Sequence, residues 1–272
     1  MKLYAGGEHG LGRFRCPAGR GNCKQYAATV DSFFQDVRLP LHKAIKLMYC
    51  FTSDFSYEVT ATEVSDVGED EEVLSTDTIA DWFRYCREMI VDHVCKMQAG
   101  KPKLDGIDEG GSAIVVQIDE AKFGKRKYNH GRIIDGHWVL GIVDTSSNDC
   151  RMVVVQDREA ATLIPLIKEN VAAGSEIHTD SFRSYMGLAA EGFIHKMVNH
   201  SVEFVAPDGT HTQQIEANWR PAKDWMRGRG RFHDEDFADR LCEYLWRKFC
   251  KTHTIHLMDS LIAAIKEQYV FE

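Results

Sequence analysis

The spacing of apolar positions changes near residue 112. Upstream, Leu39, Leu41, Ile45, Met48 and Tyr49 recur at helical intervals beyond Pro40. From Ser75 onward, Ile79, Trp82, Phe83, Cys86, Met89, Ile90 and Val94 form a broad stripe behind a capping Ser75 or Thr76. Two helices are predicted, joined through the polar, acidic stretch TATEVSDVGEDEEVL in a helix-turn-helix-like layout, although periodicity alone fits a plain helical hairpin equally well. Downstream, SAIVVQIDEAKF, HWVLGIVDTS and CRMVVVQ are β-branched runs bounded by turn residues, which predict neighbouring strands of one sheet. An alternation follows. TLIPLIKENVAAG predicts a helix stopped by Gly174, EIHTD a strand, SFRSYMGLAAEG a helix stopped by Gly192, and HKMVNH another strand. Residues 233–268 predict a mostly helical tail with Phe237, Leu241, Tyr244, Leu245 and Phe249 on one side. Three antiparallel strands followed by this alternation make an α/β mixed sheet with flanking helices, preceded by a small helical region.

Composition narrows the class. With 272 residues, 44% hydrophobic and 27% charged, the chain suits one large or two unequal globular domains. The Gly-, Pro- and charge-rich segment 98–111 reads as a linker between the helical region 31–97 and a sheet domain 112–252, with a helical tail at 253–272. No apolar run suits a signal sequence or a membrane span, so a secreted or membrane protein is not expected. Eight scattered cysteines imply buried thiols rather than a disulfide framework.

The net charge of −8 argues against nonspecific coating of nucleic acid. Its distribution modifies that conclusion. Ten acidic residues and no Lys or Arg lie between Asp54 and Asp81, whereas 122–132 (KFGKRKYNHGR) and 220–231 (RPAKDWMRGRGR) are basic.

Asp119 ends the run SAIVVQIDE and Asp180 ends SEIHTD, and strand ends in α/β sheets face the functional crevice. Either acid alone reads as a turn or capping residue. With Glu216 in HTQQIEANWRPAK they form a set in the order that an RNase H-like fold uses to hold two divalent ions about 3.5–4 Å apart around a phosphodiester. Carboxylates favour Mg²⁺ or Mn²⁺, and Lys122, Lys125, Arg126 and Lys127 would hold phosphates beside Asp119. Ile215 and Trp219 read as the core-facing stripe of the Glu216 helix, and Trp225 either joins that stripe or stacks on a base. His195 and His200 face opposite sides of a strand and do not share a metal, while His211 is a candidate substrate contact. Pro221 interrupts the helical spacing between Glu216 and Lys223.

VVQIDEAKFGKRKYNHGR, WVLGIVD, IHTDSFRSYMGLAAEGFIHKMVNHSVEFV and HTQQIEANWRPAK, in that order over residues 112–250, resemble the transposase domain of Merlin-type DNA transposons and their bacterial insertion-sequence relatives. The resemblance implies an RNase H-like DDE transposase that cuts DNA and transfers strands with two Mg²⁺ or Mn²⁺ ions. Asp119, Asp180 and Glu216 match the family's metal-binding acids, with Arg220 and Lys223 at DNA. Implied partners are the double-stranded DNA of transposon ends and target, and further copies of the chain on that DNA. The expected location is the nucleus of a eukaryote or the nucleoid of a bacterium. Residues 1–30 resemble part of a zinc ribbon, but Cys16 and Cys23 alone do not complete a four-ligand zinc site. That shortfall and the acidic insert keep open an alternative, a domesticated or decayed copy that binds DNA without cutting it.

Overall fold

The computed structural model describes residues 2–4, 13–15, 26–27, 29–65, 73–104, 114–124, 136–199, 202, 204–229 and 232–269. Cys16, Cys23, Lys125, Arg126, Lys127 and His200 lie outside them. The chain divides into two units, one formed by Met1–Gln98 with Trp246–Glu272 and the other by Ala99–Leu245.

In the first unit, β1 (Lys2–Tyr4), β2 (Arg13–Arg15) and β3 (Tyr26–Ala27) make a small antiparallel sheet. Three helices follow, α1 (Leu41–Thr52), α2 (Tyr57–Val64) and α3 (Thr76–Gly100), where the sequence suggested two. α2 escaped detection because it buries only Thr60 and Val64 and carries no apolar stripe; Ser56 starts it by accepting the Val59 N–H at 3.2 Å. The buried face of α1 is also rotated from the expected one. Ala44, Leu47, Met48 and Phe51 form an i, i+3, i+4, i+7 stripe, whereas Ile45 and Tyr49 are exposed. α3 begins as its stripe implies, with Ser75 Oγ accepting the Thr78 N–H.

The second unit is built on five strands, β4 (Val115–Lys122), β5 (Trp138–Asp144), β6 (Cys150–Val155), β7 (Glu176–Asp180) and β8 (Ile194–Val198), in the spatial order β6-β5-β4-β7-β8. β4, β5 and β6 pair antiparallel, while β7 and β8 extend the sheet parallel to β4. This is the RNase H-like mixed sheet. α4 (Ala160–Asn170) covers one face and α5 (Gln213–Arg227) the other, with the first half of α6 (Phe237–Thr252) beside α5. α7 (Leu257–Gln268) belongs to the first unit.

Alternation along the strands separates the two cores. Val116, Ile118, Leu140, Ile142 and Ile177 pack with Leu163 and Ile167 of α4; Ala121, Val139 and Val143 pack with Ile215, Trp219 and Ala222 of α5. Each fully buried Val, Leu or Ile among them contributes about 1.5–3 kcal/mol.

α4 stops at Asn170 rather than at Gly174, because Val171 turns extended and bridges Leu104; Gly174 instead takes φ +88° in the turn before β7. Residues 183–191 form two 3-10 turns, Arg183–Tyr185 and Leu188–Glu191, not an α-helix. Their inward residues Phe182, Tyr185 and Leu188 recur every third position, the period of a 3-10 helix. Gly192 does stop this segment, at φ +91°. Within the segment 98–104, α3 runs on to Gly100 and Leu104 enters the core of the second unit. No helix among the described residues is long and apolar enough to cross a membrane.

Candidate active site

The register of two parallel strands sets the site. β4 pairs with β7 through Val115↔Glu176, Val116↔Ile177 and Gln117↔His178, and the same offset two residues further brings Asp119 beside Asp180. Adjacent strands run about 4.8 Å apart and residues at one level share a face, so the two aspartates meet on the side covered by α5. Asp180 ends β7, but Asp119 lies within β4, which runs on to Lys122 because β5 continues to pair with it, and so does not end its strand as the sequence suggested. Asp180 starts the following turn, with its Oδ1 accepting the Phe182 N–H at 2.9 Å.

Glu216 arrives on α5, whose docking depends on Gln117. This residue is fully buried on the same strand face as Asp119, and its Oε1 accepts the N–H groups of Gln214 at 2.9 Å and Ile215 at 3.1 Å. Gln117 therefore satisfies donors that the helix start leaves unpaired, a task its own N-cap residue Thr212 does not perform. The Gln117 amide nitrogen in turn donates to His211 Nδ1 at 3.1 Å. On the neighbouring strand, His178 Nδ1 accepts the His211 N–H at 3.4 Å and its Nε2 donates to Glu176 at 2.8 Å. Burial pushes the Glu176 carboxyl up, but hydrogen bonds from Lys196 and His178 outweigh it and hold Glu176 below the usual range.

α5 lies close to the sheet because residue 141, opposite Asp119 on β5, is glycine. A Cβ there would lie 2.5 Å from Trp219 Cη2 and 2.7 Å from Ile215 Cδ1. The Trp219 indole passes over this gap and its Nε1 donates to Asp119 Oδ2 at 2.8 Å. The sequence assigned Ile215 and Trp219 to the core, and both are buried; the polar edge of the indole has a second role at the acid.

Asp119 feels both other acids. Burial, above all, raises the Asp119 carboxyl; the Trp219 hydrogen bond opposes the rise, and the charges of Asp180 and Glu216 add to it. Glu216 Oε1 accepts from the Thr212 hydroxyl at 2.8 Å. Among the described residues no three His, Cys, Asp or Glu side chains converge as a ready-made cation cage.

The opposite face of the same edge carries Glu120, whose side chain is only 3% exposed. Burial first, then the nearby aspartates, raises it to about 7, although the Tyr185 hydroxyl and Arg158 oppose the rise. Burial also lifts the fully enclosed Tyr185 phenol, and Glu120 adds to that effect. Arg158 lies 3.7 Å from Glu120 Oε2.

Of the predicted basic contacts, Lys122 ends β4 with its ammonium 5.5 Å from the centre of the Trp138 ring. Arg220 stands in solvent on α5, 3.6 Å from Asp224. Lys223 reaches 5.5 Å over the Phe123 ring. α5 runs through Pro221 without ending, so Glu216 and Lys223 stay on one helix, two turns apart. Trp225 gives its ring to Tyr244 and to Arg229, 3.6 Å above it. His195 bonds Thr179 at 2.9 Å on the other face of the sheet from Asp180, and burial lowers its proton affinity. Gln117 and Gly141 were not anticipated. Their signals are the single amide inside the apolar run VVQI and the single glycine inside WVLGIVD.

Residues 109–247 match the family model of the ISXO2-like transposase domain. An uncharacterized transposase-like protein of Haemophilus influenzae is 37% identical over 95 residues, which are 35% of this chain and 76% of the relative. Among solved structures, the catalytic core of BIV integrase aligns at TM-score 0.29 and 12% identity over 56% of this chain and 81% of its own. The HTLV-2 integrase catalytic core in complex with magnesium aligns at TM-score 0.26 and 11% identity over 56% and 82%. The family model covers just over half of the sequence and both candidate aspartates with Glu216, and on that ground the chain belongs to the ISXO2-like transposase family.

Proposed function

We propose that this protein is a DDE transposase, related to the Merlin-type enzymes, that cuts transposon ends and transfers the freed 3′ ends to target DNA. The observation that carries the reading is the meeting of Asp119 and Asp180 on adjacent parallel strands, with Glu216 brought over them by α5. The donor set fits Mg²⁺ or Mn²⁺ in kind, since it consists of carboxylates without thiolate or imidazole, and Asp119 is buried beside two like charges that a cation offsets. Asp119, Asp180 and Glu216 would hold such ions, which would supply charge neutralisation to a phosphodiester.

The chain's own groups do the positioning. Trp219 fixes one oxygen of Asp119, the Phe182 N–H fixes one oxygen of Asp180, and Gln117 anchors the helix that presents Glu216. Lys122, Arg220 and Lys223, together with Lys125, Arg126 and Lys127, hold phosphates outside the acids. Copies of the chain assemble on the paired DNA ends.

The test is strand cleavage and joining on a labelled duplex carrying the element's end, with Mg²⁺ or Mn²⁺ added. Activity is expected to disappear in Asp119→Asn, Asp180→Asn and Glu216→Gln. Cleavage that survives Asp180→Asn sinks the assignment, whereas DNA binding without cleavage by the native chain selects the domesticated reading.

A further inference from the structure

Arg158 follows β6 at the edge of the sheet where β4 and β7 end, on the face opposite the three acids. Its guanidinium carbon sits 3.9 Å from the centre of the Trp138 ring and 4.7 Å from that of Phe182. Its backbone is tied down as well, because its carbonyl accepts the Ser184 hydroxyl at 2.6 Å. The side chain nevertheless remains 37% exposed, and its contact with Glu120 is an ion pair at 3.7 Å rather than a hydrogen bond. Among the described residues the guanidinium donates no hydrogen bond. A cation of this kind has its orientation fixed by two aromatic planes while its fork of N–H donors stays available for a bidentate acceptor.

Its neighbours connect it to the acids. Glu120 adjoins Asp119 in β4, and Phe182 is the residue whose N–H holds the Asp180 carboxylate. Lys122, paired with Trp138 across β4 and β5, places a second cation over the same indole. A basic ledge on an aromatic base thus borders the sheet edge, with Lys122 three residues after Asp119 and Phe182 two after Asp180. A DNA strand with one phosphate at the acids would have to cross this edge to bring its next phosphates to the ledge.

We propose that Arg158, seated on Trp138 and Phe182, is a DNA phosphate contact flanking the acidic site. The proposal rests on the transposase reading above. A purely structural alternative would make Arg158 a clamp that closes the α4-side core, and the two roles separate experimentally. Arg158→Gln keeps a flat amide over the indole and removes the charge; Arg158→Lys keeps the charge. Binding of a short nonspecific duplex is measured by fluorescence anisotropy across a salt series, without divalent metal, alongside thermal melting of the full chain.

Arg158→Gln is expected to bind several-fold more weakly, with the slope of log affinity against log salt smaller by about 0.9, while Arg158→Lys keeps the native slope. A folded Arg158→Gln protein with the native slope and affinity overturns the proposal. A second measurement uses the unaltered protein: bound duplex should protect Arg158 from phenylglyoxal, read by peptide mass spectrometry, and equal labelling with and without DNA also overturns it. If the native chain binds no duplex at all, the transposase reading fails together with this one; native binding with an unaffected Arg158 refutes this one alone.

Discussion

Replacing Gly141 by alanine should loosen the seat of α5, the helix that carries Glu216. The strand backbone accepts alanine, and the lost freedom of glycine in the unfolded chain would stabilise the variant by about 0.4–1 kcal/mol. Packing acts the other way. The new methyl would lie 2.5 Å from Trp219 Cη2 and 2.7 Å from both Trp219 Cζ2 and Ile215 Cδ1. Carbon pairs rest at about 3.5–4.0 Å, so α5 must retreat by about 1 Å. Such overpacking costs about 1–3 kcal/mol. The retreat also stretches the bond from Trp219 Nε1 to Asp119, now 2.8 Å; hydrogen bonds to charged groups contribute about 1.5–3 kcal/mol. The expected net loss is about 2–4 kcal/mol in urea unfolding followed by tryptophan fluorescence, together with a large fall in metal-dependent strand cleavage. Trp219→Phe supplies the control, because it removes the outer indole atoms and the N–H while keeping a ring. In that background Gly141→Ala should cost less, because only the clash with Ile215 Cδ1 at 2.7 Å remains, a coupling expected for groups in direct contact. Gly141→Ala that unfolds like the native chain, or costs the same in both backgrounds, refutes the reasoning.

Three further outcomes follow from the same geometry. Gln117→Leu strands the buried Ile215 N–H, at a cost of about 1–3 kcal/mol, and the part-buried Gln214 N–H at the start of α5; hydrogen exchange should show α5 opening first, and Gln117→Glu, which keeps the acceptor, should restore part of the protection. Glu120 holds its proton up to about 7 in the folded chain against an ordinary 4.5. Because the folded state therefore binds the extra proton, stability should fall as pH rises from 4.5 to about 7 and level off above, with a slope of at most about 1.4 kcal/mol per pH unit. Glu120→Gln should flatten that limb in denaturant titrations across the range, and parallel profiles for the two proteins would contradict the burial argument. Trp219→Phe alone should raise the Asp119 carboxyl further, since a hydrogen bond to its charged form is lost, and shift the acidic limb of the cleavage pH profile upward.

The sheet was readable because its strands are β-branched runs punctuated by turns; Asp180 does end one of them, whereas the strand of Asp119 runs on to Lys122 through pairing with β5 that the run of apolar residues did not reveal. Glu216 was readable because Ile215 and Trp219 mark its helix. What escaped depends on partners far along the chain. Gln117 looks like an ordinary strand residue until Gln214 and Ile215, 97 and 98 positions later, are placed against it. Gly141 looks like a weak point of β5 until the indole crosses it. The indole N–H is invisible in a hydrophobic stripe, although the stripe itself is plain. α2 was hidden for a different reason: it is a short helix with little apolar face, set in an acidic stretch whose charge suggested an open turn.

The docking of α5 also fixes when the acidic set comes into being. During synthesis β4 through β8 emerge before residue 213, so the growing chain already contains both aspartates and the strands that align them. Glu216 joins only after a loop of nearly one hundred residues closes onto Gln117, a late and entropically costly contact. A nascent chain stalled between Asp180 and α5 carries two of the three carboxylates, and the candidate site stays incomplete until the sheet beneath it has been made.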